Sequence, residues 1–235
     1  MDEQKNAHAG HRKRLRDRYR LEGLDDFAPH EVLELLLFYT RARGDTNPLA
    51  HALLDTFGSL KGVFEATPQQ LETVPGIGEE AATLLSMTVP LFRRYSLCLA
   101  EERRAITSTA EARAYCLALL SGHRTERFYA ICLGAGRNVL GRRLIAEGTI
   151  GEVAAYPRVI VETALNLNAH GIIVCHNHPD GVAEPSPEDL AATHHLYRVL
   201  SALDIELLDH VITAGAGSCS LAERGQLVPK SRKAL

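Results

Sequence analysis

No excess of charge of either sign marks this chain: 26 Lys and Arg stand against 29 Asp and Glu, a formal net charge of −3 over 235 residues. Bulk electrostatics therefore cannot recruit nucleic acid, and any such contact has to be local. Apolar runs of bilayer length are also missing, the longest lying around Val32 to Tyr39, which argues against a spanning helix. Met1 to Arg20 is polar throughout and lacks the apolar segment of a secretory signal. The expectation is a soluble, cytoplasmic protein with no membrane partner. The five cysteines, Cys98, Cys116, Cys132, Cys175 and Cys219, include no C-x-x-C pair, so reduced thiols are expected rather than a disulfide framework. Internal repeats and low-complexity tracts are absent as well. What is present is ordinary: 46% hydrophobic and 23% charged residues, enough for one or two folded domains.

The first hundred residues carry helical patterning. Val32, Leu33, Leu36 and Leu37 recur at helical spacing, as do Leu49, Ala52, Leu53 and Phe57, with Pro29, Pro48, Gly58 and Gly62 as punctuation. From Arg127 the texture changes to β-rich runs, RFYAICL and VLGRRLIAEG, separated by Gly134, Gly136 and Asn138, a hairpin signature. A helix is expected over 157–168, a buried strand over 171–175, a second helix over 187–203 and a strand over 205–213. The fold class is thus α/β: an all-α N-terminal domain, 1–105, then a mixed α/β domain, 106–235. The boundary is placed near residue 105, where Thr107, Ser108 and Thr109 offer helix caps. The basic tail, 229–235, is expected to be loosely ordered.

Two features of the first half bear on nucleic acid. Arg12, Lys13, Arg14, Arg16, Arg18 and Arg20 crowd one short stretch against a single Asp17. A solvated helix face paired with nearby acids is the favoured reading, and a phosphate-binding patch the alternative. In TPQQLETVPGIGEEAATLL, Thr67 caps a helix with Pro68 at its first position and Gln70 closing a capping box, and Pro75 to Gly78 break it before another begins at Glu79. Two short helices joined by a glycine turn resemble a helix-hairpin-helix. Gly76 and Gly78 would then offer unshielded backbone N–H groups to a DNA phosphate. Glu79 and Glu80 oppose that, and a pure packing role stands beside it with equal weight.

The second half carries the chemistry. In CHNHPDGVAEPSPEDLAATHH, His176 and His178 leave a buried strand two residues apart, so both imidazoles face one side. Asp189 returns across the turn-prone PDGVAEP. Two neutral nitrogens and one carboxylate leave a fourth tetrahedral position for water, the pattern of a catalytic zinc site. A helix start explains Ser186, Pro187 and Asp189 without any metal and is favoured for Ser186 taken alone, whereas the combination of strand exit, glycine-rich return and acid points to the ion.

The spacing H-x-H-x7-S-x2-D formed by His176, His178, Ser186 and Asp189 resembles the JAMM signature of MPN (JAB) domains, which are metal-dependent isopeptidase-like hydrolases. The longer HNHPDGVAEPSPED, with EGTI before it and LLDHVI after it, resembles the bacterial RadC family, as do GHRKRLRDRY, EVLELLLFY, LLDTFGSL and VPGIGEEAA in the first half. The resemblance implies an MPN domain, a Zn²⁺ cofactor and a link to DNA repair. Two positions depart from the family pattern: YPRV at 156–159 stands where HPRE is usual, and HPDG, with Asp180, where HPSG is usual.

A peptidase of this kind needs a base, which the resemblance places on an upstream glutamate. Glu147, ending a strand before Gly148, is the first choice, with Glu152 and Glu162 behind it. Ser186 is expected to donate to the developing oxyanion. His194, His195 and His210 are expected to lie behind the ligands or on the surface. The expected activity is zinc-dependent hydrolysis of a peptide or isopeptide bond in an unknown protein or peptide substrate. A DNA-associated binding module without catalysis and a phosphodiester hydrolase are the alternatives.

Overall fold

The computed structural model describes residues 3–102, 105–148, 156–179 and 181–228. Glu152, Asp180 and the tail 229–235 lie outside them. Two compact units result, 1–92 and 93–235. The division falls inside one long helix, whereas residue 105, where the sequence suggests a boundary, lies in the connection that follows it. No described helix is long and apolar enough to cross a membrane, and all five cysteines are free thiols.

The first unit is helical: α1 (Glu3–Glu22), α2 (Pro29–Thr40), α3 (Asn47–Phe57), α4 (Leu60–Glu65), α5 (Pro68–Glu72) and the start of α6 (Glu79–Glu102). Its core gathers Leu33 and Leu37 of α2, Leu53 of α3, Val63 of α4, Leu71 of α5 and Leu85 of α6, all buried. The expected capping box is present, Thr67 Oγ1 accepting from Gln70 N at 3.2 Å and Gln70 Oε1 from Thr67 N at 2.9 Å. The basic arm is used internally. Arg12 donates to the carbonyls of Arg41, Ala42 and Gly44 and lies over the Phe38 ring, so it neutralises the negative C-terminal end of α2. Arg18 grips Glu31 with two bonds of 2.9 and 3.1 Å. Lys13 and Arg14 remain exposed.

The second unit is mixed α/β, consistent with an MPN domain. It contains α7 (Thr109–Leu120), β1 (Arg127–Leu133), β2 (Val139–Glu147), α8 (Tyr156–Asn166), β3 (Gly171–Asn177), α9 (Pro187–Ser201), β4 (Glu206–Ala214) and β5 (Gly217–Ser220). The sheet order is β2-β1-β3-β4-β5, antiparallel except for β3 and β4, which run parallel. A parallel pair requires a crossover, and α9 supplies it. One face packs Ile131, Leu133, Ile173, Cys175 and Val211 against Tyr115, Cys116 and Leu119 of α7. The other packs Phe128, Ala130, Ile172 and Val174 against Ile160 and Ala164 of α8 and Leu196 and Leu200 of α9. Covered on both faces, β3 is buried at every residue, which its unbroken apolar run GIIVC anticipates.

One irregularity matters for the site. Between Ile172 and Ile173 the partner on β4 jumps from Leu207 to Asp209, leaving Leu208 as an extra residue. Such a bulge reverses the alternation beyond it. His210 therefore faces the α8 and α9 side with Val174, its register partner, where unbroken alternation from Leu207 would turn it toward α7.

Candidate metal centre

Strand β3 runs two residues beyond the expected end, so His176 lies within it and His178 just after it. Even spacing carries Ile172, Val174 and His176 onto the face of α8 and α9. His178 continues the ladder, its N–H donating to Thr213 O at 2.8 Å. The two imidazoles converge, with Nε2 of His176 2.9 Å from Nε2 of His178. Asp189, in the first turn of α9, completes the set: Oδ1 lies 3.3 Å from His176 Nε2 and Oδ2 lies 3.8 Å from His178 Nε2. Ser186 holds that carboxylate, accepting from Asp189 N at 3.1 Å and donating its hydroxyl proton to Asp189 Oδ2 at 2.7 Å. The capping box that starts the helix and the orientation of the carboxylate are one arrangement.

A second carboxylate belongs to the cluster. Glu126, immediately before β1, brings an oxygen within 4.8 Å of the ligand nitrogens of both His176 and His178. Its position is set by Asn177, between the two histidines. Asn177 Oδ1 accepts from Arg127 N at 2.9 Å and Nδ2 donates to Thr125 O at 3.0 Å, clamping the backbone on either side of Glu126. Burial raises the Glu126 carboxyl above its ordinary value. Glu147, the base suggested by the sequence, is placed differently. Its Oε1 accepts from Arg127 at 2.6 and 3.1 Å and from Thr125 at 3.1 Å, and the Arg127 hydrogen bonds hold its pKa below the usual value. Glu162 lies on α8.

Behind the ligands is a buried polar layer. His176 Nδ1 lies 2.9 Å from His210 Nε2, and His210 Nδ1 lies 2.6 Å from Thr193 Oγ1, which donates to Asp189 O at 2.6 Å. His178 Nδ1 lies 2.9 Å from Val182 O. His194 reaches Gln226 O at 3.0 Å, and His195 is exposed. Burial pushes the imidazole of His176 down to about 4 and that of His210 to about 3. Both rings are neutral near pH 7, the state that metal ligation requires.

The donor set fits zinc. Tetrahedral ligands about 2.0–2.1 Å from an ion stand roughly 3.3 Å apart, against the 2.9, 3.3 and 3.8 Å measured between these atoms. Two imidazoles and a carboxylate suit this borderline ion better than the all-oxygen shells of Mg²⁺ or Ca²⁺. The neighbouring thiol, Cys175, points to the α7 side.

A profile of the RadC-like JAB domain matches residues 106–226. The chain belongs to the RadC family. A UPF0758 protein of Ruegeria pomeroyi is 35% identical to it over 217 residues, covering 92% of this chain and 97% of that protein. The family match takes in α7, the five described strands, His176, His178, Asp189 and Glu126.

The neutral, buried histidines have a consequence for stability. An imidazole titrating near 6.5 in the unfolded chain and near 4 or below in the fold makes the unfolded state bind more protons between those values. Its contribution is complete above about pH 6.5 and is lost as pH falls toward 4, by up to about 1.4 kcal/mol per pH unit for each ring. Urea unfolding of metal-free protein between pH 7 and 4 should show this slope, and His210→Gln should flatten it. Equal slopes would mean that His210 does not titrate as a buried neutral group.

Proposed function

We propose that this RadC-family protein is a zinc-dependent hydrolase of a peptide or isopeptide bond, with His176, His178 and Asp189 as ligands and Glu126 as general base. The observation that carries this reading is the convergence of one carboxylate of raised pKa on a two-imidazole, one-carboxylate set that leaves a coordination position open. Bound zinc would supply Lewis acidity and lower the pKa of water at the site. Glu126 would take the proton from the attacking water and return it to the departing nitrogen, a transfer that burial favours by raising the carboxyl above its ordinary value. Glu147 is less suited, since Arg127 already occupies its acceptor oxygen. Ser186 orients Asp189; donating to an oxyanion would require turning its proton away from that carboxylate.

The discriminating variant is Glu126→Gln. As base, Glu126 can be removed with zinc retained and hydrolysis of peptide or isopeptide substrates reduced by roughly 100-fold or more. Loss of zinc together with activity would instead make Glu126 a fourth protein ligand, closing the site into a structural one. A zinc-filled wild type that cuts DNA and spares peptide bonds would transfer the reading to phosphodiester hydrolysis.

The helical unit is proposed to hold duplex DNA by its backbone, in keeping with the repair role suggested by the family name. Gly78, exposed before α6, is the position to probe, because a methyl group there meets no protein atom within 4 Å and its effect on binding would report close approach of a phosphate. Gly76 is a poorer probe: its φ is +93° and an added Cβ would lie 2.8 Å from Leu49. Arg14 with Lys13, rather than Arg12, would supply the charge. Binding of the full-length protein to a short duplex should fall steeply with salt and weaken several-fold in Gly78→Ala. Equal affinity of wild type and variant would leave the turn a packing element. The free thiols and the lack of a described membrane-spanning helix suit a cytoplasmic protein.

A further inference from the structure

We infer that His210 and Thr193 form a one-way hydrogen-bond chain that dictates which nitrogen of His176 carries the proton, leaving Nε2 with the lone pair that ligation needs. The inference deepens the metal-centre reading and rests on it.

The direction of the chain follows from its last member, the main-chain carbonyl of Asp189, which can only accept. Thr193 Oγ1 lies 2.6 Å from it and gives it the hydroxyl proton. The hydroxyl oxygen then has only lone pairs to offer His210 Nδ1, also 2.6 Å away, so Nδ1 is the protonated nitrogen of that ring. His210 is 2% exposed, and its two ring nitrogens face a hydroxyl and another imidazole, so with no anion hydrogen-bonded to the ring among the described residues the neutral form is favoured and Nε2 keeps a lone pair. That lone pair accepts from His176 Nδ1 at 2.9 Å. His176, 1% exposed, therefore presents a lone pair at Nε2. His178 reaches the same state independently, because its Nδ1 faces the acceptor-only Val182 O at 2.9 Å.

Two lone pairs thus meet at 2.9 Å with no proton between them. A cation at that point would be bound by both rings, whose Nδ1 atoms are already engaged by His210 and Val182. The chain also closes on itself. Asp189 offers its carboxylate to the centre and its carbonyl to Thr193, so one hydroxyl, acting through His210, ties Asp189 to His176. The bulge at Leu208 is what turns His210 into this path. His210 and Thr193 are positioning residues, acting only through His176 and Asp189.

The test uses full-length, metal-free protein with ¹⁵N-labelled histidine. Two-bond ¹H–¹⁵N correlations distinguish imidazole tautomers, and His176, His178 and His210 should all carry the proton on Nδ1. Thr193→Val removes the acceptor of His210. It should shift His210 away from the pure Nδ1–H form and weaken zinc binding, measured against a chromophoric chelator, by roughly 10–100-fold. Thr193→Ser keeps the hydroxyl and should restore both readouts, which separates the chain from general packing. An Nε2–H tautomer at His176 in the wild type, or wild-type tautomers and zinc affinity in Thr193→Val, would overturn the inference. A wild type that binds no zinc would overturn the metal-centre reading instead, and the tautomers would still decide the chain.

Discussion

His176 lies one residue before the end of a strand covered on both faces, and from that position the rest of the site follows. A buried imidazole must stay neutral and must satisfy both ring nitrogens, because an unpaired polar group in such surroundings costs about 1–3 kcal/mol. Nδ1 is satisfied by His210, itself buried and satisfied in turn by Thr193. Nε2 has no comparable donor; it faces His178 and Asp189, two groups with lone pairs of their own. A layer of polar residues thus lies inside an apolar sandwich, with its outermost nitrogens and carboxylates converging on one point. Such a network is destabilising if half satisfied, so an ion bound here would stabilise the fold as well as complete the site.

The sheet delivers each component by a separate local device. The crossover between parallel β3 and β4 places the N-terminus of α9, with its capping box, at the C-terminal end of β3, so the residue that starts the helix also orients the acidic ligand. The bulge in β4 re-aims His210. Asn177, pointing away from its two histidine neighbours, reaches the start of β1 and fixes Glu126. Ligands, support and proposed base thus come from β3, α9, β4 and the entry to β1, and none depends on a long side chain in a free loop. Preorganisation of this kind gives a reacting centre its precision.

How much of this was legible in the sequence depended on how local each feature is. His176, His178, Ser186 and Asp189 lie within fourteen consecutive positions, and strand alternation plus helix capping suffices to bring them together. The two-part architecture and most elements were readable from hydrophobic period and turn residues. Glu126 was not, because its proximity to His176 comes from pairing of strands about fifty residues apart. Glu147 has an equally plausible place at a strand end, but the register sets it opposite Arg127, whose guanidinium binds it. His210 was expected either behind the ligands or on the surface, and the bulge, which no pattern in LLDHVI announces, decides for the first. Arg12 illustrates the same limit in the helical unit: a charge run reveals no partner, and here the carbonyls following α2 take one of its members.

X-ray absorption at the zinc edge tests the central claim most directly, because it reports the identity of the ligand atoms. The account predicts a first shell of nitrogen and oxygen near 2.0–2.1 Å, with the outer scattering of two imidazole rings and no sulfur, and the loss of one ring's contribution in His178→Ala. A sulfur shell near 2.3 Å, or a nitrogen and oxygen shell without imidazole scattering, would contradict it.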